Sequence, residues 1–152
     1  MILSQNDLKT VNSLDLIRSR PEMYLPIDDS LGEKLLGRLI ADILVSPDKI
    51  AHTARVDDWW VVGSNSDWIP SVAIGSAKDY FTRITPFPEA GPNSMHAEVL
   101  VTAFATDVVT FNEAGECVIQ GQSDEAICNF AYRNTDWTRI IAFRISDSES
   151  LL

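Results

Sequence analysis

Positive charge is what this chain has least of: 12 Lys and Arg stand against 22 Asp and Glu, a formal net charge of −10. A surface built to neutralise phosphates or anionic lipid needs clustered cations, so nucleic-acid and membrane binding are disfavoured. No stretch reaches the roughly 20 apolar residues that span a bilayer, and the segment MILSQNDLKT has no basic region leading into a long apolar run. Both absences predict a cytoplasmic protein.

Cysteine and histidine are scarce too. Cys117 and Cys128 form no C-x-x-C pair and fall in segments that read as strands, which predicts buried thiols in a reducing compartment rather than a disulfide. His52 and His96 lie far apart, and neither belongs to a serine-histidine-acid or metal-ligand spacing. No catalytic residue and no metal site is expected from them.

Apolar material is plentiful, since 45% of the 152 residues are hydrophobic, enough to bury the core of one domain spanning residues 1–152. Asn12 or Ser13 is placed to cap a short helix through Arg20, which Pro21 stops. Ser30 and Glu33 form an S-x-x-E capping box ahead of a long helix to about Ser46, in which Leu31, Leu35, Leu36, Leu39, Ile40, Ile43 and Leu44 recur at spacings of three and four. The period then becomes that of strands: Ile50–Val56 and Trp59–Gly63 flank an Asp57-Asp58 turn.

Ser64–Ser94 carries four of the seven prolines and reads as loop with one short helix near Ala77–Arg83. A third helix is expected from Asn93 or Ser94 to Ala105. Strands follow at Val108–Phe111, Cys117–Gln120 and Ile140–Ile145, with Ala126–Tyr132 as a further candidate strand, and Asp147–Leu152 reads as a polar tail. The order predicts an α+β fold: a two-layer α/β sandwich, a mostly antiparallel mixed sheet with about three helices on one face.

The segment Leu14-Asp15-Leu16-Ile17-Arg18-Ser19-Arg20-Pro21-Glu22-Met23-Tyr24 resembles the L-x-x-V-R-K-R-P-G-M-Y-I-G motif that opens the ATPase domain of the DNA gyrase B and topoisomerase IV family. That family belongs to the histidine-kinase-like (GHKL) ATPase superfamily, and its order of helix, two strands, loop, helix and strand meander is similar to the order here. The resemblance implies a GHKL ATPase-like fold with a nucleotide groove between helices and sheet. It also implies where the chemistry should be. A Glu on the long helix would be the general base and an Asn one turn later would hold Mg2+; those positions here are Arg38 and Asp42.

A guanidinium stays protonated and cannot act as that base. Asp42 is then read first as an exposed acid paired with Arg38 across one helical turn. The family's adenine-binding Asp falls at Ser64, with Asp67 as a shifted substitute, and Trp68 stands where a glycine would leave room. The family's glycine-rich phosphate loop matches Gly91-Pro92-Asn93-Ser94-Met95-His96-Ala97-Glu98, which has a single glycine, no lysine and a carboxylate that repels phosphate. Thr138 retains the position of the family's terminal Thr.

The expectation is therefore a degenerate, non-catalytic scaffold, a pseudoenzyme without cofactor that binds a protein partner. An acidic surface suits a basic partner, as for an inhibitor or an immunity protein, with Trp59, Trp60, Trp68 and Trp137 as interface candidates. One alternative is an ATP- and Mg2+-binding domain that uses Asp42, Asp67 and Thr138. The other is a self-associating module that forms a homodimer.

Overall fold

The computed structural model describes residues 12–25, 28–69 and 77–145. Helix α1 (Ser13–Ser19) begins where Asn12 accepts the Leu14 and Asp15 N–H groups, and Pro21 turns the chain into a short 3-10 segment, Pro21–Met23. Helix α2 (Leu31–Ile43) follows. Its predicted capping box is not formed: the Ser30 hydroxyl donates to Asp28, which also accepts the Ser30 N–H and pairs with Lys34 at 2.6 Å. Asp28 does the anchoring that Ser30 was expected to do.

Strands β1 (Ala51–Val56) and β2 (Trp59–Ser64) form the predicted hairpin, with Asp57 at φ 53° in its tight turn. Helix α3 (Ala77–Thr82) and a 3-10 turn at Pro88–Ala90 occupy the described part of the proline-rich stretch. Helix α4 starts later than expected and runs only Glu98–Phe104. The delay has a cause in the backbone: Met95 bridges Pro86, and the His96 N–H donates to the Thr85 carbonyl, which holds this segment extended.

Strands β3 (Asp107–Asn112) and β4 (Gly115–Gln120) form the second hairpin. Helix α5 (Glu125–Arg133) corrects the expected strand at Ala126–Tyr132. Asp124 accepts the Ile127 N–H as an N-cap, and Ile127 and Ala131, one turn apart, form its buried stripe. Strand β5 (Arg139–Arg144) comes last, and the predicted polar tail beyond it lies outside the described residues.

The five strands are ordered β1-β2-β5-β3-β4, and each pairing is antiparallel, so the last strand is clamped between the two hairpins. Helices cover both faces, not one. Against α1, α2 and α4 lies a core of Ile17, Leu35, Leu39, Val62, Ile141 and Phe143. Against α5 lies a smaller core of Trp59, Val61, Phe111, Ile127, Ile140 and Ala142. Each fully buried aliphatic side chain removed from water contributes about 1.5–3 kcal/mol, so α5 is held by its own apolar stripe as firmly as by its cap.

Alternation along β2 sends Trp59 to the α5 side and Trp60 to the helix layer opposite. Trp60 passes so close to α2 that a Cβ at Gly32 would collide with its indole. The absence of a side chain at Gly32 therefore sets how near α2 approaches the sheet.

Candidate functional site

The buried stripe of α2 ends in an acid. Leu35, Leu39 and Ile43 are fully buried, and Asp42 on the same side is 8% exposed. Facing it across the helix layer are His96, on the extended segment before α4, and Glu98, the first residue of α4. His96 is 5% exposed and Glu98 fully buried, and ligand atoms of all three side chains lie within 4.8 Å of one another. Neither His96 nor Glu98 is near Asp42 in sequence; the fold brings them together.

Each side chain of the trio is fixed from behind. The Ala97 N–H donates to Asp42 Oδ2 at 2.8 Å, and the Trp68 indole N–H donates to Glu98 Oε2 at 3.2 Å. The His96 ring stacks on Phe87 at 4.1 Å between centroids and meets Tyr80 edge-on at 5.0 Å. These contacts leave His96 Nδ1 and Glu98 Oε1 facing each other, with an Asp42 carboxylate oxygen within 4.8 Å of both side chains' ligand atoms. His96 Nδ1 and Glu98 Oε1 are 3.4 Å apart and otherwise buried without a hydrogen-bond partner. Leaving such groups unpaired costs on the order of 1–3 kcal/mol each.

Burial pushes the Asp42 carboxyl up to about 7, and the nearby Glu98 charge pushes in the same direction, against the opposing Ala97 hydrogen bond. Asp42 is thus not the exposed partner of Arg38 that the sequence suggested. Among the described residues it makes no ion pair with Arg38, whose guanidinium reaches the Tyr24 carbonyl at 3.5 Å. Asp42 lines two adjoining clefts: an outer one of about 450 Å3 with Arg38, Met23 and Tyr24, and an inner one of about 230 Å3 with Lys49, Trp68, Phe87 and His96.

The other residues singled out from sequence are engaged elsewhere. Arg139 grips Asp67 with two hydrogen bonds, at 3.0 and 2.8 Å. Thr138 donates its hydroxyl to the Asn65 carbonyl at 2.9 Å and lines a different cleft, of about 410 Å3, beside Trp137 and Tyr132. Asp42 and Thr138 thus line separate clefts, and Asp67 is engaged by Arg139. Ser64 is fully buried and bonded to Asn65.

Two of the four tryptophans, Trp59 and Trp68, are buried, and two, Trp60 and Trp137, are half-buried. Trp59 is fully buried, donates to Asp124 at 3.1 Å and lies under the Arg144 guanidinium. Trp60 is half-buried between Phe143 and Arg55, and Trp137 is half-buried between His52 and Phe130. Trp68 is 5% exposed, inside the helix layer. The cysteines are free; Cys117 is exposed on β4, and Cys128, half-buried on α5, places its thiol 3.0 Å from Glu116. Cys117 lies on a strand as expected but is exposed, on the edge strand β4, whereas Cys128 is half-buried and on a helix, not a strand.

The sequence signal for the trio was the H-x-E of His96-Ala97-Glu98. Its third member, on another helix 54 residues before His96, had no local mark. Among the described residues, no helix is long and apolar enough to cross a membrane. What the molecule shows is an α+β fold around an antiparallel five-stranded sheet with a buried Asp-His-Glu constellation, and no protein family, curated protein or solved structure matches it.

Proposed function

We propose that this chain is a non-catalytic protein-binding domain on a degenerate gyrase-B-like ATPase scaffold, one whose groove is closed to nucleotide. The observation that carries the reading is the seat of Trp68: its indole occupies the helix layer at 5% exposure and is tied to Glu98. A purine needs a slot at that level, and a triphosphate needs donors and cations. Here the space holds an aromatic ring and the carboxylates of Asp42 and Glu98, which repel polyphosphate. Arg38, which lines the outer cleft, has no basicity to lend a water molecule.

With nucleotide chemistry set aside, the surface is the working part. A net charge of −10 favours a basic protein partner, drawn in and oriented by its charge. Exposed Leu16, Met23, Leu44 and Ile50, on α1, the turn after it and the two ends of the α2–β1 connection, supply apolar contact area. Inhibition of that partner, as by an immunity protein, fits a small acidic domain without a reaction centre.

The test is capture of partners on the immobilised full chain, identification of the bound protein, and measurement of the purified pair at low and high salt. The reading expects a basic partner whose association slows steeply as salt rises. Capture of a partner of no basic character, bound with no response to salt, contradicts it. Sedimentation of the chain alone tests the alternative, a homodimer.

A further inference from the structure

We infer that Asp42, His96 and Glu98 form a binding site for one divalent transition-metal ion, of the Zn2+ class. This inference requires neither nucleotide nor partner. Three residues from two separate parts of the chain direct ligand atoms to one point, all within 4.8 Å of one another and all more than nine-tenths buried. A second observation points to a ligand: His96 Nδ1 and Glu98 Oε1 are buried and have no hydrogen-bond partner. Folded interiors rarely leave two such atoms facing each other unless something bridges them.

The spacing suits an ion. Two ligands of a tetrahedral zinc, each bonded at about 2.0–2.1 Å, lie roughly 3.3 Å apart. His96 Nδ1 and Glu98 Oε1 are separated by 3.4 Å, too far for a good hydrogen bond and right for one edge of such a polyhedron. The charge suits an ion as well. Two carboxylates are buried together, and among the described residues neither forms an ion pair with a Lys or Arg. A divalent cation neutralises both.

The supporting contacts match those that orient metal ligands, in which the atom not bound to metal is held by a neighbour. Ala97 N–H holds Asp42 Oδ2, the Trp68 indole holds Glu98 Oε2, and Phe87 and Tyr80 clamp the imidazole. One imidazole with two carboxylates favours Zn2+ and its neighbours over Mg2+, which prefers an all-oxygen octahedral shell rich in water. Asp42 and His96 both line the inner cleft, which gives the ion a way in and leaves room for a water or a ligand at an open position.

The experiment takes the full chain stripped with a chelator and titrates it with Zn2+, and separately with Co2+, whose visible absorption reports its ligands. The result expected is one ion per chain, a rise in melting temperature, and no displacement by equal Mg2+. Asp42→Asn and Glu98→Gln keep the hydrogen bonds from Ala97 and Trp68 and remove ligand charge; each weakens binding by at least about tenfold and changes the Co2+ spectrum. Failure of the folded, stripped wild-type chain to bind stoichiometrically overturns the site whether or not the variants fold. Binding that survives both substitutions, or that Mg2+ matches, overturns it too.

Discussion

The indole N–H of Trp68 donates to the carboxylate of Glu98 at 3.2 Å, a buried bond between the loop after β2 and the first residue of α4. It joins these two segments and places an aromatic ring in the wall of the cleft that Asp42 and His96 also line. Trp68→Ala removes the ring and leaves Glu98 Oε2 without its donor. A loss of about 3–5 kcal/mol is expected in chemical denaturation, and Trp68→Phe should lose clearly less. A Trp68→Ala protein as stable as the wild type would mean that the indole is not part of the packed interior.

Most of this architecture was legible in the sequence, because the signals were local. The β1–β2 hairpin is marked by alternation around Asp57-Asp58, α1 by its Asn12 cap, and α2 by seven apolar residues at helical spacing. What was missed depends on partners far along the chain. Cys128 and its neighbours read as a strand until Asp124 is seen to cap a helix whose Ile127 and Ala131 meet the second face of the sheet. Asp42 read as a surface acid, since nothing near it in sequence announces that α4 will bring Glu98 against it.

Two glycines should respond in opposite ways. A Cβ at Gly63, next to the last residue of β2, would collide with the Trp137 indole that stacks on His52, so Gly63→Ala is expected to cost about 1–3 kcal/mol. Gly37 lies on the exposed side of α2 with nothing within 4 Å of an added Cβ, so Gly37→Ala should stabilise by about 0.5–1 kcal/mol. Melting curves of the two variants decide it; changes of the same sign would contradict the packing described.

The acid on α2 predicts a pH dependence. The Asp42 carboxyl is raised from 3.8 to about 7 in the folded chain, so the stability it contributes is fully present below 3.8 and is lost as pH rises through about 7. In the presence of a chelator, Asp42→Asn removes this dependence. Relative to the wild type, the variant should gain stability as pH rises from 3.8 to about 7, with no further change above that. A stability difference that stays constant over that range would show that the Asp42 carboxyl is not raised by folding.

The cysteines predict two rates of alkylation. Cys117 is exposed on the edge strand, whereas burial raises the Cys128 thiol, and its hydrogen bond to Glu116 raises it further. Two free thiols should react with a thiol reagent, one fast and one slow, and Cys117→Ser should remove the fast phase. A chain with no reactive thiol under non-reducing conditions would contradict this arrangement.

The proposed loss of nucleotide binding makes one demand that calorimetry answers without any variant. The intact chain is titrated with ATP and Mg2+ at millimolar concentration, and its melting temperature is measured alongside. The account predicts no saturable heat and an unchanged melting temperature, because the proposed reading assigns the Trp68 indole and the buried carboxylates of Asp42 and Glu98 to the place a purine and phosphates would need. Saturable heat with a melting shift of several degrees would contradict it.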